Sequence, residues 1–91
     1  MPLYTYIAYY KDRTGVEQAR SSSYRGFAAS AVDRMVTRGL LGAGLTSLRN
    51  ELAGKAMRSE WSAVGNTSNV WRTSFDFAGD QFELYAVQSK D

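Results

Sequence analysis

The stretch SSSYRGFAASAVDRMVTRG, Ser21 to Gly39, restricts the fold more than any other part of the chain. Tyr24, Phe27, Ala28, Ala31, Val32, Met35 and Val36 fall at i, i+3, i+4, i+7, i+8, i+11 and i+12, the spacing of a helix that buries one side. Arg25, Asp33, Arg34, Thr37 and Arg38 lie off that stripe. Ser22 or Ser23 can cap the first turn by accepting an orphan backbone N–H, and Gly39 supplies a left-handed stop. Gly26 weakens the helix unless other backbone approaches it closely. A buried stripe needs a surface to lie on, and segments toward both ends of the chain supply one by alternating with a period of two.

LYTYIAYY, Leu3 to Tyr10, is rich in residues suited to a pleated, half-buried surface. KDRTG follows with a glycine placed for a turn, and Val16 to Ser22 reads as a more polar return strand. After the glycine-punctuated LLGAGLTSL, Leu45, Leu48 and Leu52 repeat at near-helical spacing, with Thr46 or Ser47 as caps. This second, shorter helix ends between Gly54 and Arg58. From Ser59 the period becomes two: SEWSAV, VWRTSFDF and QFELYAV, separated by GNTSN and AGD, form a meander of three strands. Trp71, Phe75 and Phe77 alternate with Arg72, Ser74 and Asp76, while Phe82, Leu84 and Ala86 alternate with Glu83, Tyr85 and Val87. The expected architecture is a single α+β domain over residues 1–91. It has an antiparallel sheet of four to five strands with two helices on one face, in the order β-β-α-α-β-β-β.

A chain of 91 residues lies near the lower limit for a self-sufficient core. Its aromatic side chains, each bringing roughly 150–250 Å² to bury, must therefore carry much of the stability. There is no cysteine, which removes disulfides and thiolate chemistry, and no histidine, the side chain most used for proton transfer near neutral pH and the commonest metal ligand. No apolar run approaches the roughly 20 residues that span a bilayer, and MPLYTYIAYYKD lacks the marks of a signal peptide. The expectation is a cytoplasmic protein with no membrane partner, no cofactor, no metal and no enzymatic activity.

Gly39 to Gly44, GLLGAG, lacks the Lys-Ser/Thr ending of a phosphate-binding loop and reads as a turn between helices. Asp76, Asp80 and Glu83 form a secondary acidic patch around the last hairpin, without the spacing of a calcium loop. Charge is unevenly spread: residues 1–58 hold nine basic against four acidic side chains, and residues 59–91 hold two against five. Arg20, Arg25, Arg34 and Arg38 could line the first helix and the strand before it. Arginine, tyrosine and tryptophan dominate interface energetics, so these four and Tyr4, Tyr6 and Tyr10 are the candidate partner-binding residues. Many aromatics of so small a domain must belong to its core, and these three tyrosines are the better candidates for exposure because three on one strand face exceed what one small core should need.

Tyr4, Tyr6, Ala8, Gly15, the helix through Val36 and Arg38-Gly39 resemble the start of bacterial secretion and pilus platform proteins, but the meander departs from that family's helical continuation. In size and layout the whole chain resembles small phage-encoded inhibitors of bacterial defence, including anti-CRISPR proteins. That resemblance implies stoichiometric binding to a protein partner, such as a nucleoprotein defence complex in the host cytoplasm. A small DNA- or RNA-binding protein using the arginine face is the alternative, and a homodimer is compatible with either.

Overall fold

The computed structural model describes residues 1–42 and 44–89. The elements are β1 (Leu3–Tyr10), β2 (Arg13–Arg20), α1 (Ala28–Thr37), a 3-10 turn over Thr46–Leu48, α2 (Arg49–Arg58), β3 (Ser62–Ala63), β4 (Val70–Phe77) and β5 (Asp80–Gln88). All five strands belong to one antiparallel sheet ordered β2-β1-β5-β4-β3. The fold is α+β, in the element order the periodicities predict. β1 and β5, from opposite ends of the chain, pair at the centre with Tyr6 opposite Ala86.

Alternation along each strand decides what is buried. Tyr4, Tyr6, Ala8 and Tyr10 of β1, Phe82, Leu84 and Ala86 of β5, and Thr73 and Phe77 of β4 are buried on the side where the helices lie. α1 contributes Ala28, Ala31, Val32, Met35 and Val36, and α2 adds Leu52 and Ala56. Tyr24 and Phe27 pack against this core half-buried, so the whole stripe faces inward. Burial at roughly 25 cal/mol per Å² of apolar surface makes this layer the main source of stability.

Here the expectation for the tyrosines is corrected: Tyr4, Tyr6 and Tyr10 are core residues. A tyrosine ring spans the gap between sheet and helix, and its burial is tolerated when the hydroxyl finds an acceptor. The Tyr6 hydroxyl donates to the Tyr24 carbonyl at 2.7 Å, and that of Tyr10 to the Phe77 carbonyl at 2.9 Å. Tyr10 also packs against both Phe77 and Phe82, while Tyr24 lies flat on Trp71 with centroids 4.4 Å apart. The exposed tyrosine of β1 is Tyr9, on the other side of the strand.

α1 begins later than the stripe suggests. The Ser23 hydroxyl accepts from the Gly26 N–H at 3.0 Å, closing a local turn instead of capping the helix. Serine competes for backbone in this way, and Gly26 gives little helical drive, so the helix starts at Ala28 with no side-chain cap. Its end follows expectation: Gly39 takes φ +98°, its N–H donates to Val36, and the Leu40 N–H donates to Met35, satisfying the last carbonyls. Neither Thr46 nor Ser47 caps α2, which follows the 3-10 turn directly. The first hairpin turns on Lys11 and Asp12, and Gly15 lies within β2 rather than in the turn.

Candidate functional site

The helices cover one side of the sheet only. On the other side β2 presents Thr14, Val16, Gln18 and Arg20, β1 presents Leu3, Thr5, Ile7 and Tyr9, and β5 and β4 present Tyr85, Val87, Val70 and Arg72. Residues directly opposite share a face, so Val16, Ile7, Tyr85 and Arg72 form one row across four strands. Tyr9 and Val16 are 45% and 52% exposed, high values for such side chains on a sheet. Among the described residues no element packs over this face.

Its polar groups are matched in charge. Arg72 lies 3.5 Å from Glu83 and reaches over the Tyr85 ring at 5.9 Å, while the Tyr85 hydroxyl is 3.4 Å from Glu83. Tyr9 meets Tyr85 edge to face with centroids 6.0 Å apart. Gln18 donates to the Thr5 hydroxyl at 2.8 Å. Arg20 and Arg72 are offset by Glu83 and Asp76 on the same face, leaving an apolar centre with a balanced polar margin.

The expected binding residues do not form a single surface. Arg34 lies on α1, Arg38 follows one turn later as the residue that caps its end, and Arg25 is exposed in the turn preceding it. Arg20, by contrast, is on the open side of the sheet and donates to the Met1 carbonyl at 3.0 Å. Arg34 stacks over Phe27 at 5.0 Å. Arg38 reaches back to β2, its Nη1 2.7 Å from Glu17 Oε2, while the Glu17 carboxylate is almost wholly buried. That oxygen lies off the direction of the guanidinium N–H, so the contact is ionic and the oxygen has no directed hydrogen bond.

The acidic patch is also divided. Asp76 and Glu83 point to the open face, whereas Asp80 closes the hairpin beside Phe77 and lies 3.6 Å from Lys11. Among the described residues no three carboxylates come together where a cation could be held. α1 and α2 are tied by Asp33 and Arg49, 2.8 Å apart, and the guanidinium holds the Asp33 carboxyl below its ordinary value. This pair is a strap between helices.

A second feature lies at the outer edge of β2. A cavity of about 360 Å³ opens there, bordered by Arg13 and Arg38, floored by Met35 and Leu40, and walled by the backbone from Thr14 to Val16. Arg13 lies across the turn after α1, its guanidinium against Gly42. Sequence reading missed Tyr9, Ile7, Val16 and Arg13. Strand alternation carried the signal for Tyr9 and Ile7, since burying the even side of β1 leaves the odd side out, while Val16 of β2 joins them through its pairing with Ile7; Arg13 looked like a turn residue.

In comparisons with known proteins, no family model matches this chain, and no curated protein and no solved structure matches it. No helix among the described residues is long and apolar enough to cross a membrane.

Proposed function

We propose that this chain is a non-enzymatic protein-binding module that engages its partner through the open face of the sheet. The carrying observation is the row of Val16, Ile7 and Tyr85 with Tyr9 beside it, Val16 and Tyr9 exposed and Ile7 and Tyr85 half-buried, set among charges that balance. Protein interfaces combine an apolar, aromatic centre with a polar rim, whereas a surface that binds phosphates carries net positive charge. The balance on this face favours a protein partner over nucleic acid. The lack of histidine and cysteine supports binding rather than catalysis.

The resemblance in size and layout to phage-encoded inhibitors gives this reading a specific form: stoichiometric inhibition of a bacterial defence complex in the cytoplasm. The test compares the wild-type protein with a variant carrying I7E, Y9A and V16K, and with one carrying R25Q and R34Q, as baits in a bacterial lysate treated with nuclease. The expected result is a stoichiometric partner retained by wild type and by the arginine variant, and lost from the open-face variant although its melting curve is unchanged. Loss with the arginine variant alone, or binding to oligonucleotides that falls steeply with salt, overturns the reading.

A further inference from the structure

The two edges of the sheet are treated differently. At the β4 edge, the two-residue β3 pairs with Arg72 and Trp71, and Lys55 Nζ donates to the outward Asp76 carbonyl at 2.8 Å. Short edge strands and covering side chains are the usual protection against unwanted pairing. β2, at the opposite edge, is eight residues long, contains no proline and pairs with β1 in unbroken register.

The hydrogen-bond pattern identifies which of its backbone groups face outward. The Ser21 N–H donates to the Pro2 carbonyl, and the Ser89 N–H to the Leu3 carbonyl. Antiparallel ladders alternate, so the even residues of β1 bond to β2 and the odd ones to β5. Glu17, Gly15 and Ala19 therefore point their backbone groups inward, to Tyr6, Ala8 and Tyr4. Thr14, Val16 and Gln18 point theirs away from the sheet, and no described backbone group meets them.

An inward-pointing charge on an edge strand ordinarily discourages a further strand. Glu17 occupies that position, but Arg38 neutralises it from 2.7 Å. With Arg13 on the other side of the cavity, the surroundings of the edge become net positive. Gly15 lets Met35 sit directly on the strand, so that this side chain forms the floor of the cavity at the edge. A residue of an added strand placed opposite Gly15 would point to the helix side, toward the Met35 and Leu40 floor and between two guanidinium groups. A second copy of this chain would bring its own Arg13 and Arg38 to the same place, where like charges oppose.

We propose that the β2 edge is a docking site for an extended acidic polypeptide segment, which adds as a sixth strand and directs a carboxylate between Arg13 and Arg38. This rests on the protein-binding reading and specifies the chemistry of the partner, while its contacts, the outward backbone of Thr14 and Gln18 and the guanidinium groups of Arg13 and Arg38, lie apart from the apolar centre of the open face, of which Val16 alone is shared. Backbone hydrogen bonds would supply affinity, and the paired guanidiniums would supply the preference for carboxylate.

The test uses the full chain and three capped octapeptides in which valine alternates with glutamate, lysine or glutamine, followed by amide hydrogen exchange. The glutamate peptide is expected to slow exchange at Thr14, Val16 and Gln18 by roughly tenfold or more at saturation, with little change at Gly15 and Glu17, already bonded to β1. The lysine peptide should give no protection. T14P removes one outward N–H without touching the apolar row of the open face, a substitution edge strands tolerate, and should abolish protection; R13Q should weaken binding severalfold without changing the pattern. No protection with any peptide, equal protection by the lysine peptide, or protection of the protein alone that is lost on dilution overturns the proposal. If T14P and R13Q still retain a lysate partner that the open-face variant loses, this proposal falls and the open-face reading stands; if the glutamate peptide protects the β2 edge and the open-face variant keeps its lysate partner, the open-face reading falls and this proposal stands.

Discussion

Met35 of α1 occupies the space a side chain at Gly15 of β2 would need: its Cγ and Sδ lie 3.0 Å, and its Cβ 3.1 Å, from where a Gly15 Cβ would stand. The helix thus approaches the edge strand through a buried methionine seated directly on backbone. This contact fixes the height of α1 above β2 and keeps Arg38, one turn further on, within reach of Glu17.

Gly15→Ala is expected to destabilise the protein by about 1–2 kcal/mol, the range for overpacking a filled core. The Met35 Cβ is part of the clash, so rotation of the thioether alone does not relieve it. Met35→Ala alone costs about 2–4 kcal/mol through the cavity it leaves. Combined, the two should cost less than their sum, and urea denaturation of the four-member cycle measures the difference. Strict additivity would show that the residues do not compete for one space.

The Glu17–Arg38 pair joins an almost wholly buried carboxylate to a guanidinium 72% exposed. Removing the cation leaves the buried acid alone, so Arg38→Gln should cost roughly 1–2 kcal/mol after allowance for the solvent around Arg38. Glu17→Gln added to it should restore most of that loss, because a neutral amide needs no counterion. Equilibrium unfolding of the single and double variants decides, and a double variant less stable than Arg38→Gln contradicts the assignment.

Burial pushes the Tyr6 hydroxyl up to about 12, with Tyr4 adding to the shift and a backbone hydrogen bond opposing it. An unfolded chain releases this proton near the ordinary value of 10.0, so between 10.0 and about 12 the folded protein holds more protons than the unfolded one. Rising pH then favours unfolding. The stabilisation is complete below pH 10.0 and lost as pH climbs through about 12. Tyr6→Phe should flatten this alkaline limb in denaturation curves taken across that window; an unchanged slope would assign it to other groups.

Ala78 and Gly79, at the β4–β5 turn, both have positive φ, +50° and +86°. Such a turn suits the right-handed twist of the flanking strands, but a left-handed alanine is strained, and asparagine is the usual residue there. Ala78→Asn should therefore stabilise the protein by about 1 kcal/mol, read as a higher midpoint in urea with unchanged slope. Destabilisation would mean that the hairpin does not hold this conformation in solution.

Periodicity is a local property, and it determined the strands, the helices and their order before any packing was considered. The stripe from Tyr24 to Val36 could face only inward, and Gly39 could end the helix because its left-handed backbone needs no tertiary support. Local spacing could not choose between the two sides of β1, since both carry tyrosines or aliphatics. That choice came from tertiary structure, which gives the Tyr6 and Tyr10 hydroxyls carbonyl acceptors 18 and 67 residues away in the chain. Chain folding likewise put Arg20 and Arg38 on different sides of the sheet, tied Arg38 to Glu17, and left β2 as the long open edge. Each depends on contacts between distant segments, which spacing along a single chain does not encode.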